Sequence, residues 1–164
     1  MIFALSTSPH ADARHRIEHV LDDGTELAWE LLVETPPDAL VAEAVDLDGD
    51  WIARLDRVDF PPGSIAYRHV HPGPGIRYLL EGELTIDRAD GEPHRYRAGD
   101  PWFEGADDPV LATASRSEET AFVRVLLLPA EWAGKRTIRY ADPADEDKPR
   151  LQRATILSEE PLPS

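Results

Sequence analysis

Residues Gly63–Gly82 read GSIAYRHVHPGPGIRYLLEG, and the fold turns on how this stretch is read. From Ser64 to His71 the chain alternates like a β-strand. Ile65, Tyr67, His69 and His71 fall on one face, and Ser64, Ala66, Arg68 and Val70 on the other. His69 and His71 therefore project from the same side, roughly 7 Å apart at Cα. Two imidazoles placed this way can close on one metal ion, although a working site usually draws on three or more protein groups. The strand is entered through Pro61-Pro62-Gly63 and left through Pro72-Gly73-Pro74-Gly75, both strong chain-turning signals.

Period-two patterning extends outward in both directions. His15–Leu21 and Thr25–Val33 flank Asp22-Asp23-Gly24 as an N-terminal hairpin. Leu40–Val45 and Trp51–Phe60 flank Asp46–Asp50 as a second hairpin signal. Ile76–Leu80 and Glu83–Asp87 meet at a tight turn, Glu81-Gly82. His94–Arg97, Trp102–Glu104, Val110–Ala114 and Ala121–Leu128 complete about ten short strands, the pattern of a β-sandwich or barrel. Helical pattern is confined to Pro9–His15 and Pro129–Gly134. We expect one barrel domain over residues 1–140, with its core at 50–130. Residues 141–164, Pro-rich and charged, are expected to form a C-terminal arm packed on the barrel or on a partner subunit.

The 164 residues suffice for one sizeable core. The 32 acidic residues against 17 basic ones give a net charge of −15. That balance argues against binding a nucleic-acid backbone or an anionic membrane. There is no cysteine, which excludes disulfides and thiolate ligands. The apolar start is too short for a signal-peptide core, and no run approaches the ~18 apolar residues of a membrane span. The expected location is the cytoplasm.

The His69-x-His71 segment resembles the first motif of the cupin superfamily, with Gly63, His69, His71 and the closing Gly82 in register. Gly99-Asp100-Pro101-Trp102-Phe103-Glu104 is similar to the opening of the second motif. The resemblance spans roughly residues 50–130. It implies an all-β fold, a double-stranded β-helix or jelly-roll barrel. It also implies a divalent transition metal (iron, manganese, zinc or nickel) and a homodimer, for which the N-terminal hairpin and the C-terminal arm are the candidate cross-subunit elements. Two positions depart from the family pattern. Gly75 stands where the first motif carries Glu, and Val110 stands near where the second carries His.

Glu104 is the candidate third metal ligand beside His69 and His71, since Trp102 and Glu104 share a strand face. It is also the candidate catalytic acid or base, on the expectation that burial beside Trp102 raises its pKa. The alternative reading is a solvated rim carboxylate near Asp107 and Asp108. Arg77 lies two residues after Gly75 and is a candidate to grip a carboxylate or phosphate, or else an outer-face residue or the ion partner of Glu104. Tyr67 and Trp102 are candidate substrate contacts, with core packing the alternative for Tyr67. Three functions remain open from sequence. They are a metal-dependent oxygenase, isomerase or lyase acting on a small anionic molecule, a non-catalytic ligand-binding or sensing module, and a structural barrel. His15 and His19 read as a surface pair, and Asp46–Asp50 as a turn.

Overall fold

The computed structural model describes residues 1–163. The N-terminal strands are β1 (Ile2–Ser6), β2 (His15–Val20), β3 (Glu26–Leu32) and β4 (Val41–Ala44). They are followed by β5 (Trp51–Phe60), β6 (Ile65–Val70), β7 (Gly75–Glu81), β8 (Glu83–Arg88) and β9 (His94–Arg97). The last are β10 (Pro101–Glu104), β11 (Val110–Ala114), β12 (Thr120–Pro129), β13 (Arg139–Tyr140) and β14 (Arg153–Pro161). Among the described residues no helix is long and apolar enough to cross a membrane.

Three antiparallel sheets stack in layers. A four-stranded sheet has the order β2-β3-β1-β4. A five-stranded sheet, β10-β7-β12-β5-β14, forms the middle layer, and a second one, β13-β6-β11-β8-β9, the third. Alternation along the central strands decides which layer each side chain meets. From β5 and β12, Ala53, Leu55, Val123, Val125 and Leu127 turn outward to pack on Phe3, Leu5, Leu27 and Trp29 of the first sheet. The Trp29 indole N–H donates to the carbonyl of Ile76 at 3.0 Å, tying the layers. Val58, Phe60, Leu79 and Phe122 turn the other way, onto Ala66, Leu84, Ile86, Val110 and Ala112 of the third sheet. The middle and third sheets therefore face one another as a double-stranded β-helix, without closing into one hydrogen-bonded barrel.

Several local expectations change. The apolar start is a strand, β1, at the centre of the first sheet. The N-terminal hairpin forms with Gly24 in the left-handed region at its turn, and its apolar face is buried by its own chain. Leu40–Val45 and Trp51–Phe60 do not pair, because β4 joins β1 while β5 enters the middle sheet. Nor do β7 and β8 pair: Glu81-Gly82 carries the chain from one sheet to the other. Gly82 has φ of 77° and lies against Thr120 and the Glu119 carbonyl, so any side chain there meets both strain and a clash. Pro9–His15 is non-helical, and Pro129–Gly134 contributes only a 3-10 turn at Ala130–Trp132.

The segment after β12 closes one side of the sandwich. It crosses to pair β13 with the edge strand β6, makes a short 3-10 turn over Pro143–Asp147, and returns to pair β14 with the edge strand β5. The Asp142 carboxylate caps the turn by accepting from the Ala144 N–H at 3.0 Å.

Candidate functional site

Between the two facing sheets lies a cavity of about 600 Å³. Its walls follow from strand alternation. β5 contributes Arg54, Asp56, Val58 and Phe60, and β12 contributes Phe122 and Arg124. β6 contributes Ala66 and then His69. An even position followed by an odd one breaks simple alternation. The register with β11 explains it: Ala66 pairs with Ala112 and His69 with Val110, so β6 carries one extra residue. This β-bulge turns Tyr67 away from the cavity while His69 and His71 turn in. Tyr67 is half-buried, with the Lys148 ammonium 4.3 Å from its ring centre.

His69 and His71 are both buried, their rings 5.1 Å apart and nearly perpendicular. His69 Nδ1 lies 2.6 Å from the Tyr67 carbonyl oxygen. A carbonyl only accepts, so Nδ1 carries the proton and Nε2 keeps its lone pair. His71 Nδ1 is paired with Thr137 Oγ1 at 2.9 Å. Burial lowers the pKa of both rings. The Arg77 and Arg124 cations depress them further, so that His71 lies well below the usual imidazole value. Both rings are neutral at pH 7.

Arg77 is buried, and burial lowers its pKa to about 10, which still leaves it charged at neutral pH. Its guanidinium pairs with Glu104 Oε1 at 3.2 Å and donates to the Gly75 carbonyl at 3.1 Å. The Trp102 indole N–H donates to Glu104 Oε2 at 2.7 Å. Burial alone would push the Glu104 carboxyl up. Arg77 and the indole N–H outweigh it and hold the carboxylate below its usual range. This corrects the expectation of a raised Glu104 pKa. Glu104 is a fixed anion whose two oxygens are engaged, not a proton donor held in reserve.

Gly75 sits directly opposite Glu104 across β7 and β10. A Cβ at Gly75 would lie 2.7 Å from the Arg77 guanidinium and 2.6 Å from Leu126. The space that a motif glutamate would use is thus held by Arg77, with Glu104 arriving from the neighbouring strand. Val110 pairs with His69 and adds only apolar surface. Trp102 is buried outside the cavity lining, stacked on Tyr96 with centroids 4.3 Å apart. It orients Glu104 and packs edge-on against Phe122, which lines the cavity. Among the described residues, no three His, Asp or Glu side chains come together as a metal-binding group. His69, His71 and Glu104 all line one cavity, but the carboxylate is held by Arg77 and Trp102.

Three lining residues were not singled out from sequence. Arg124 and Asp56 form a buried two-point ion pair at 2.7 and 3.0 Å. Arg54 reaches Glu159 at 2.6 Å and the carbonyls of Lys135 and Trp132, so it ties down the closing segment. The signal was present, since Arg124 is the lone charge in the apolar run TAFVRVLLLP. The exposed lining residues are Gly134, Lys135, Arg136, Leu151, Arg153, Ala154 and Ile156, which marks a cavity mouth of mixed cationic and apolar character.

Residues 56–123, from the middle of β5 to the start of β12, match the family model of the cupin domain. The match covers less than half of the chain, and within it the chain is similar to the cupin domain family. Among solved structures the chain is similar to the polyketide cyclase RemF from Streptomyces resistomycificus, at 17% identity and a TM-score of 0.45. That alignment covers 54% of this chain and 61% of the cyclase. The DMSP lyase DddQ from Ruegeria pomeroyi matches at 22% identity and a TM-score of 0.46, over 55% of this chain and 44% of the lyase. A cupin-like protein from Thermotoga maritima matches at 16% identity and 0.46, over 57% of this chain and 69% of that one. The chain therefore spans less than two thirds of the cyclase and of the lyase. No curated protein sequence matches it.

Proposed function

We propose that this protein takes up a small anionic organic molecule between its two facing sheets, as a ligand or a substrate. One observation carries the reading: seven cationic side chains and two carboxylates line the cavity of a chain whose net charge is −15. Asp56 and Glu104 neutralise Arg124 and Arg77, and Glu159 and Glu146, outside the lining, pair with Arg54 and Arg150. The excess positive charge stands at the mouth, where Lys135, Arg136 and Arg153 draw anions inward. Inside, neutral His69 offers an Nε2 lone pair to an acidic proton of the guest, and Arg124 keeps donors beyond those given to Asp56.

Titration calorimetry with small carboxylates at two ionic strengths tests this. Binding should weaken as salt rises, and Lys135→Ala/Arg136→Ala should slow association more than it speeds release. Affinity indifferent to salt and to the charge of the guest would remove the reading.

A second reading places a divalent ion on the two Nε2 atoms. It is favoured by the Nδ1–H of His69, given to a carbonyl as metal-bound imidazoles commonly do. Such an ion would act as a Lewis acid on a guest oxygen. The donor set does not complete it here, because Glu104 is committed to Arg77 and Trp102. Elemental analysis of protein never exposed to chelator decides it: stoichiometric metal, lost in His69→Ala, would establish the second reading.

A further inference from the structure

Along β5 and β12 the cavity lining is polar at one end and apolar at the other, with Arg153 of β14 at the exposed rim opposite Asp59. Along β5 the lining residues run Arg54, Asp56, Val58, Phe60. On β12, Arg124 pairs with Asp56 and Phe122 pairs with Val58. Both strands thus change from charged to apolar between the same two cross-strand rungs. The facing sheet repeats the division. His69 and His71 lie on the polar side, while Leu84, Ile86, Ala66 and Ala112 give apolar wall. From Asp56 to Phe60 is four strand residues, roughly 13 Å.

We infer that the guest is an amphipathic carboxylate, with its anionic head at the arginine and histidine end and an apolar chain or ring of several carbons along Phe60, Phe122, Leu84 and Ile86. The inference rests on the anion reading above and narrows it. An inorganic anion or a two-carbon acid would leave the apolar end unfilled. Water gains little in a cavity lined by such groups, because it finds no hydrogen-bond partners there. A volume of about 600 Å³ also suits a medium-sized organic molecule rather than a diatomic or a bare oxyanion.

Calorimetric titration of the full chain with straight-chain carboxylates, from acetate to decanoate, and with the matching alcohols tests the inference. Kd should fall about fourfold per added methylene until the apolar end is full, then level off. Alcohols should bind more weakly than acids of equal length. Ala112→Leu fills part of the apolar end, so it should shorten the longest tightly bound acid and leave acetate unaffected. Should that variant fail to fold, the wild-type length series still decides. Affinity independent of chain length overturns the amphipathic guest and leaves the anion reading intact. Alcohols binding as tightly as acids overturn the anionic head. No binding anywhere in the series overturns both.

Discussion

Gly75, Arg77 and Glu104 form one unit. Gly75 and Arg77 share a strand face, and Glu104 stands opposite Gly75 on β10. The backbone of Gly75 accepts from the guanidinium, and its missing Cβ leaves that guanidinium its room. A methyl group there would press on Arg77 and Leu126, both buried in a packed interior. Gly75→Ala should therefore cost about 1–3 kcal/mol, the range for overpacking a tight site. The cost should shrink in an Arg77→Met background, where a flexible, uncharged side chain replaces the fork. Denaturant unfolding of the two single variants and the double variant measures this coupling. Additive costs would mean that Arg77 does not hold the space. The substitution from the family pattern was visible in sequence at Gly75. Its consequence was not, because the guanidinium that fills the gap points back from two residues along the strand.

At the scale of elements, two devices set the geometry. The bulge in β6 moves His69 and His71 inward and Tyr67 outward. Simple alternation had put all three on one face. A second device pins the loop between β1 and β2. His10 Nδ1 lies 2.7 Å from Glu30 on β3, and Nε2 lies 2.8 Å from Asp38 before β4. Arg16 also donates to Glu30, at 2.8 Å. Hydrogen bonds to Glu30 and Asp38 raise the His10 pKa. Burial alone would raise Glu30, but bonds from the His10 ring and backbone and from Arg16 outweigh it and lower its pKa; the bond to His10 lowers that of Asp38. A raised imidazole pKa adds stability below the ordinary imidazole range and loses it as pH climbs through the raised value. The lowered carboxyls add stability above the ordinary carboxylate range and lose it on acidification. The cluster therefore helps most between those ranges, in mildly acidic solution. The melting temperature of His10→Ala should fall furthest below wild type there, with the gap narrowing towards alkaline pH. A gap that widens with rising pH would contradict the cluster.

At the scale of the molecule, the layers and the closing segment make the site. The first sheet covers much of the outer face of the middle one, so Arg54, Asp56 and Arg124 turn inside, around the cavity, while Arg57 and Asp59 pair on the surface. The closing segment lends Thr137 to His71 and accepts Arg54 through its backbone. The homodimer expected from the resemblance has a candidate surface in β14. This strand leaves its outer edge unpaired among the described residues and exposes Ile156 and Leu157. Light scattering should give twice the 18.3 kDa chain mass, and Leu157→Glu should return it to one. A wild-type mass of one chain would end the proposal. The sequence by itself determined the all-β fold and the shared face of His69 and His71, because strand periodicity and turn chemistry are local and survive without neighbours. It also set the acidic surface, a matter of composition. Only the tertiary structure decided what surrounds those histidines. A bulge, a cross-strand glutamate, an arginine in a glycine's space and a partly cationic mouth all arise from pairings between residues distant in the chain, which no local pattern encodes.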